Sequence, residues 1–92
     1  MAKDTRYNTV RKLILADQVK NFREIFVDDT IPKSVIARDL GMNNERFTKV
    51  MYNMEEFGMK HILRLAVLID IDRKILIDII LAQYDIDRQY KK

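Results

Sequence analysis

The sequence predicts an all-α fold, in which five or six short helices pack into one small bundle. Apolar side chains recur at intervals of three and four residues, the period of an amphipathic helix, and alternation at intervals of two is nearly absent. No tight hairpin dipeptide such as Asn-Gly occurs, so the usual signal for paired strands is missing. A chain of 92 residues is long enough for one hydrophobic core, and we expect residues 1–92 to form a single domain.

The first helix is predicted from about Thr5 to Ala16, ending near Asp17. Its apolar residues share one side, as helical spacing requires; they are Val10, Leu13 and Ile14. Asn21 and Glu24 have the spacing of a capping box, in which each side chain satisfies a backbone N–H at the other's position. This pair predicts a short second helix. A continuous helix over residues 5–27 is the alternative, because neither Gly nor Pro separates the two pieces.

The third and fourth helices are predicted on either side of a glycine. Pro32 lacks a backbone N–H and has a preset φ, so it suits the first turn of a helix that continues to Leu40. Gly41 ends that helix, because glycine readily adopts the positive φ found just past a helix C-terminus. Asn43 is a favoured N-cap residue and begins a fourth helix that runs to about Asn53.

Two further helices complete the predicted bundle. The Phe57-Gly58 pair marks a turn, and a fifth helix follows from Met59 to Ile69. The residues of this helix predicted to face inward are Ile62, Leu65, Ala66 and Ile69. Asp72 caps the last helix, from about Arg73 to Tyr84. Residues 85–92 either extend this helix or fray.

The composition argues against several functional classes. The chain has no cysteine, which removes disulfides, thiol catalysis and cysteine-based zinc sites. Its longest apolar run, Leu65 to Ile69, is too short for a signal sequence or a membrane span, so we expect a cytoplasmic protein. His61 is the single histidine, and no nucleophile elbow, phosphate-cradling glycine loop or catalytic carboxylate pair is present. We expect neither an enzyme nor a bound metal or cofactor.

Residues 33–52 carry the pattern of two short helices that meet at a steep angle. Ala37 is small enough to let the second helix cross close to the first, and Gly41 allows the chain to turn between them. Apolar side chains at helical spacing fill the angle; they are Ile36, Leu40, Met42, Phe47 and Val50. The same residues would also serve a purely structural corner, so function depends on the opposite face.

This pattern, Ile36-Ala37-x-x-Leu40-Gly41-Met42-x-x-x-x-Phe47-x-x-Val50, resembles the helix-turn-helix of the phage-repressor and Cro-like family. The similarity continues through residues 57–72 and covers about residues 22–84. It implies a lambda-repressor-like fold, a bacterial or phage-encoded protein, and binding to double-stranded DNA as a repressor-like transcriptional regulator. The chain departs from the family at Asp70, where Gly is frequent, and at Glu55 and Glu56, where many members approach phosphate.

The outward face of the fourth helix carries the candidate DNA contacts. Inward positions i, i+3, i+4 and i+7 are taken by Phe47, Val50, Met51 and Met54. The resemblance implies that the start of this helix enters the major groove. The residues assigned to base readout are Asn44, Glu45, Thr48 and Lys49. Those assigned to the DNA backbone are Lys33, Asn43, Arg46 and Tyr52.

The last helix is apolar around most of its circumference between Ile75 and Tyr84. A helix of this kind needs a second covering surface, which predicts a homodimer, although burial within one chain is an alternative. The candidate dimer residues are Leu76, Ile77, Ile80 and Leu81. Two other functions remain open: an antitoxin-like module that binds a toxin as well as DNA, and a helical domain that binds only proteins.

Overall fold

The computed structural model describes residues 4–26 and 30–90, and within these ranges the protein is entirely helical. The prediction of an all-α bundle is confirmed. The five α-helices are α1 (Arg6–Leu15), α2 (Lys33–Leu40), α3 (Asn44–Met51), α4 (Met59–Ile69) and α5 (Arg73–Tyr90). Two short 3₁₀ helices, Phe22–Phe26 and Met54–Glu56, precede α2 and α4 respectively. In the described ranges, no helix has both the length and the apolar character that a membrane crossing requires.

The helical conformation is interrupted between α1 and the first 3₁₀ helix, as the capping box predicted. Asp17 adopts a left-handed conformation with φ of 59°, which an uninterrupted helix cannot contain. The Glu24 backbone N–H donates to Asn21 Oδ1 at 3.2 Å, and the Asn21 backbone N–H donates to Glu24 Oε1 at 3.1 Å. The capping box is therefore formed, and the continuous helix over residues 5–27 is excluded. The short helix is 3₁₀ in type.

The corner between α2 and α3 forms at the residues that the sequence indicated. Gly41 has a φ of 76°, and its N–H donates to the Arg38 carbonyl oxygen at 3.0 Å. Asn43 begins α3, and its Oδ1 accepts a hydrogen bond from the Arg46 backbone N–H at 2.8 Å. Helix α3 ends at Met51, two residues before the predicted end. The two helices are thus joined by a turn that fixes the start of α3.

Helices α4 and α5 meet at a second left-handed residue. Asp70 has a φ of 65°. Asp72 caps α5 by accepting from the Lys74 backbone N–H at 2.8 Å. Helix α5 continues past Tyr84 to Tyr90, so residues 85–90 extend it. The last two residues of the predicted tail, 91 and 92, lie outside the described residues.

The four phenylalanines of the chain form one aromatic cluster at the centre of the core. Phe22 makes edge-to-face contacts with Phe26, Phe47 and Phe57, at ring-centroid distances of 5.8, 6.3 and 5.4 Å. Phe26 also packs on Phe47 at 6.1 Å. Phe22 and Phe47 are fully buried. The cluster joins the first 3₁₀ helix, α3 and the segment that leads into α4, so it holds α3 against the rest of the bundle.

Arg23 braces the C-terminal end of α3 against α5, an interaction that the sequence analysis did not predict. Its guanidinium donates to the Met51 carbonyl oxygen at 2.8 Å and forms a two-pronged ion pair with the Asp87 carboxylate. Its backbone N–H donates to Gln83 Oε1 at 3.0 Å, and the Gln83 amide donates in turn to Asp87. Gln83 is almost completely buried, so these bonds satisfy a polar side chain inside the core.

Helix α5 uses much of its apolar surface within its own chain. Of the four residues predicted to meet a second copy, Leu76 and Ile80 are buried in the chain's own core, because this face of α5 packs on α4 and on both 3₁₀ helices. Ile77 is only partly buried, and Leu81 is 51% exposed. Of the four, Ile77 and Leu81 therefore offer apolar surface to a partner, whereas Leu76 and Ile80 do not.

Replacing Gly41 with valine should lower the free energy of unfolding by about 1–2 kcal/mol, because a β-carbon strains the left-handed conformation. A β-carbon at Gly41 would meet no other atom within 4 Å, so the expected loss is assigned to backbone strain and not to a clash of the β-carbon. Urea denaturation of the variant and the wild type measures this loss of stability. Gly58→Ala is the control, since Gly58 has a φ of −67° and room for a methyl group. Equal stability of Gly41→Val and the wild type would contradict the assigned turn.

Replacing Arg23 with glutamine should lower the free energy of unfolding by about 1–3 kcal/mol, because the ion pair between Arg23 and Asp87 is lost and the Met51 carbonyl loses the Arg23 donor. The matched control is Arg6→Gln, whose ion pair with Asp4 lies at the surface and should matter far less. Thermal and urea unfolding of both variants provide the comparison. A loss no greater than that of Arg6→Gln would show that Arg23 does not brace α3.

Candidate nucleic-acid interface

Helix α3 presents its polar side to the surface. The four residues predicted to face inward are all buried: Phe47, Val50, Met51 and Met54. The residues predicted to face outward are exposed, apart from Thr48, which is half-buried. The exposed set consists of Asn44, Glu45, Lys49 and Tyr52. The inward and outward faces thus follow the predicted helical spacing.

One shallow depression brings together all four residues that the sequence assigned to base readout. It lies where the beginning of α2 meets the outer face of α3. Its lining consists of Lys33, Asn44, Glu45, Thr48 and Lys49. Lys33 is the one member that had been assigned to the DNA backbone. Donors, acceptors and two cations therefore face the same patch of solvent, although they come from two helices.

Two hydrogen bonds organise the middle of this depression. The Lys33 ammonium group donates to Thr48 Oγ1 at 2.8 Å, and the Thr48 hydroxyl donates to the Asn44 carbonyl oxygen at 2.8 Å. The single hydroxyl proton of Thr48 is thus already used, and its methyl group becomes the part available for a contact. An ammonium group has three donors, so Lys33 keeps two for an anion.

The remaining backbone candidates, Asn43, Arg46 and Tyr52, flank the depression. Asn43 uses its Oδ1 to cap α3. Arg46 is exposed, and its positive charge contributes to the lowered pKa of His61 in α4. Tyr52 is 55% exposed, and the Arg23 guanidinium lies over its ring, 4.6 Å from the centroid. Arg23 therefore positions one of the flanking residues as well as the end of α3.

A buried tyrosine connects α1 to α2. Tyr7 is fully buried, and its hydroxyl donates to Asp39 Oδ2 at 2.8 Å. Burial and the neighbouring Asp39 carboxylate raise the pKa of Tyr7 above its ordinary value, so the phenol remains a donor at physiological pH. This contact joins residues 32 positions apart, and no local pattern in the sequence indicated it.

The electrostatic balance of residues 33–52 is moderately positive. Four cations stand against two anions: Lys33, Arg38, Arg46 and Lys49 against Asp39 and Glu45. Asp39 is engaged by Tyr7 and by Arg38, whose Nε lies 3.2 Å from Asp39 Oδ1. Just beyond the corner, Glu55 and Glu56 are exposed. Within residues 4–26 and 30–90, no three potential metal ligands come together.

Comparison with known proteins gives one remote relative. No family model matches the chain, and no solved structure matches it significantly. Over 63 residues the chain is 25% identical to a putative ankyrin repeat protein of Acanthamoeba polyphaga mimivirus. The match covers 68% of this chain but only 11% of that protein's length.

Proposed function

We propose that this protein binds double-stranded DNA in a sequence-specific manner and acts as a repressor-like regulator of transcription. The observation that carries the proposal is the shared depression, in which base-reading side chains of α3 lie beside the first residue of α2. In a helix-turn-helix, the second helix enters the major groove and the first crosses the DNA backbone. The depression has the composition that this arrangement requires.

The exposed side chains of α3 match the hydrogen-bonding groups of the major groove. An asparagine such as Asn44 can bond to both N6 and N7 of adenine, and a carboxylate such as Glu45 accepts from N4 of cytosine. Lys49 can donate to O6 or N7 of guanine, and the Thr48 methyl group suits the methyl group of thymine. Because α3 begins at Asn44, the first two of these residues lie at the end that would enter the groove.

Backbone contacts would come from the beginning of α2. Lys33 is the first residue of α2, where the backbone N–H groups of Lys33 and Ser34 precede the first hydrogen bond of the helix, which the Val35 N–H donates to the Pro32 carbonyl oxygen. Its two remaining ammonium donors and these N–H groups suit a phosphate. Asn43, Arg46 and Tyr52 would contact the backbone on the flanks. The exposed Glu55 and Glu56 would keep the following segment away from phosphate.

We further propose that the protein acts as a homodimer joined through the outer face of α5. Ile77 and the exposed Leu81 are the apolar side chains that this face offers. A two-fold dimer would present two copies of α3 to successive major grooves about 34 Å apart, which implies a palindromic target. Dimerisation would also supply the affinity that a moderately charged domain lacks alone.

Protein binding, including an antitoxin-like role, is the second candidate. It is favoured by a separate apolar stripe on α4, where Met59, Leu63 and Val67 are exposed at intervals of four residues. The mimivirus relative is named as an ankyrin repeat protein, a class of helical repeats. A protein-only domain would bind no duplex, whereas an antitoxin-like module would bind both a duplex and a partner protein.

The double variant Asn44→Ala/Lys49→Ala should weaken binding to the preferred duplex by about 1–3 kcal/mol for each residue and leave folding nearly intact. Both side chains are exposed, so their loss removes contacts to bases and leaves the core unchanged. Asn8→Ala/Lys12→Ala on α1 is the matched control, since it removes the same two residue types from an exposed surface. Equal duplex affinity for the two double variants would contradict the assignment of Asn44 and Lys49 to base contacts.

Lys33→Ala should weaken binding to all duplexes alike and reduce the salt slope of the affinity by about one unit, because one phosphate contact is lost. Fluorescence anisotropy at several salt concentrations, with specific and unrelated duplexes, measures both quantities. Lys12→Ala removes one charge elsewhere and should leave the slope unchanged. An unchanged salt slope in Lys33→Ala would contradict the assignment of Lys33 to a phosphate contact.

Analytical ultracentrifugation at micromolar concentration should detect a species of twice the 11.0 kDa chain mass. Leu81→Glu should convert it to a monomer, because the carboxylate would be buried in the α5 contact. Val67→Glu places the same charge on the exposed stripe of α4 and should leave the dimer intact. A wild-type monomer that binds one half-site with full affinity would rule out the dimer.

A further inference from the structure

A second cleft lies at the C-terminal end of α2, where it faces the first half of α4. Its volume is about 590 Å³, and it is open to solvent. Helix α2 and the following turn contribute Arg38, Asp39, Leu40 and Gly41, and α4 contributes Lys60, His61 and Arg64. None of these residues lines the depression that holds Asn44 and Lys49. We call this feature the basic cleft.

The charges of the basic cleft are unbalanced and pre-arranged. Three cations line it, Arg38, Lys60 and Arg64, whereas Asp39 is the single acid. The Asp39 carboxylate is occupied by the Tyr7 hydroxyl and by Arg38 Nε, and the Asp39 carbonyl oxygen accepts from Arg64 Nε at 2.6 Å. Asp39 therefore orients both guanidinium groups. Within the described residues, neither arginine uses its terminal amino groups in a hydrogen bond.

His61 lies among the cations of the basic cleft. It lines the cleft with Lys60 and Arg64 of its own helix and with Arg38 and Asp39 of α2. Arg46 of α3 also acts on it electrostatically. Burial lowers the pKa of His61 from its ordinary value, and the charges of Lys60 and Arg46 lower it further, whereas a hydrogen bond with the Leu40 backbone acts in the opposite direction by raising its pKa. An anion in the cleft would oppose these charges, so its binding would raise the pKa of the imidazole.

We propose that the basic cleft binds a phosphate group. Two oriented guanidinium groups, an ammonium group and an imidazole from two facing helices offer donors to an anion with several acceptor oxygens, which a phosphate group supplies more fully than a carboxylate with two oxygens. The volume also admits a molecule as large as a nucleotide. The phosphate can belong to a free phosphorylated molecule or to the backbone of a duplex. The assignment stands independently of the proposed DNA-reading function, because it uses different residues.

Occupation of the basic cleft by a free phosphorylated molecule would affect α3 electrostatically. Arg46 belongs to α3 and is one of the cations that act on His61. A dianion in the basic cleft would reduce the positive potential on this side of the corner. Duplex binding would then weaken when the free ligand is present. If the phosphate comes from the duplex itself, the cleft instead adds a contact to the duplex.

The test follows the imidazole signal of His61 by NMR, which is unambiguous because the chain has a single histidine. Inorganic phosphate and, separately, ATP are titrated against the folded protein at constant ionic strength in chloride. We expect a saturable shift and a higher His61 pKa. Arg38→Gln/Lys60→Gln should weaken the binding at least about tenfold. Its fold should persist, since the Arg38 side chain is 70% exposed and Lys60 is exposed.

The matched control is Arg73→Gln/Lys74→Gln, which removes one arginine and one lysine from an exposed part of α5. The absence of a saturable shift with both probes, together with no heat of binding in calorimetry, would overturn the proposal. Equal weakening by the control would overturn it too, because the effect would then reflect net charge alone.

A parallel measurement of duplex binding identifies the source of the phosphate. If the Arg38→Gln/Lys60→Gln variant lowers the salt slope of duplex binding, the phosphate belongs to the duplex. If the slope is unchanged and ATP weakens duplex binding, a free ligand is the source. If the wild type binds no duplex, the proposed function is contradicted, whereas the phosphate titration still tests the basic cleft.

Discussion

Phe47 is the side chain on which the orientation of α3 depends. Helix α3 has only eight residues, so its own hydrogen bonds and helix propensity cannot hold it in place. Phe47 is fully buried and packs edge-to-face against Phe22 and Phe26. Because one large ring is fixed on the inner side, the roll of the helix about its axis is fixed as well. The polar face of α3 follows from that single packing arrangement.

The two ends of α3 are held by different means. At its beginning, Gly41 supplies the left-handed turn and Asn43 supplies the cap. At its end, Arg23 reaches the Met51 carbonyl while its ion pair with Asp87 anchors it to α5. A helix fixed at both ends and by its central ring presents its outer side chains with little freedom. Such preorganisation would lower the entropic cost of the proposed binding to a duplex.

Local signals allowed most of the fold to be predicted from sequence. Capping residues and glycine act over a few positions, so the breaks at Gly41 and Asp70 followed from neighbouring residues, whereas the break at Asp17 was predicted with a continuous helix left open as the alternative. The alternation of inner and outer residues in α3 also followed from helical spacing.

Long-range polar contacts could not be predicted in this way. The Tyr7–Asp39 and Arg23–Asp87 pairs join residues 32 and 64 positions apart, and no local pattern indicates them. For α5, apolar residues all around the helix left its roll undetermined, so two core residues, Leu76 and Ile80, were assigned to a partner. The spacing of Gln83 and Asp87, four positions apart on α5, places two polar side chains on one side of the helix. This spacing was the local signal that a polar partner such as Arg23 packs there.

Selection of bound sequences from a random duplex library tests the central claim most directly. If α3 reads bases through its outer face, the wild type will enrich a defined motif. Selection with Asn44→Ala will then lose the preference at one position of each half-site and keep the others. Failure of the wild type to enrich any sequence, while the protein remains folded, would contradict the claim that this corner is a DNA-reading helix-turn-helix.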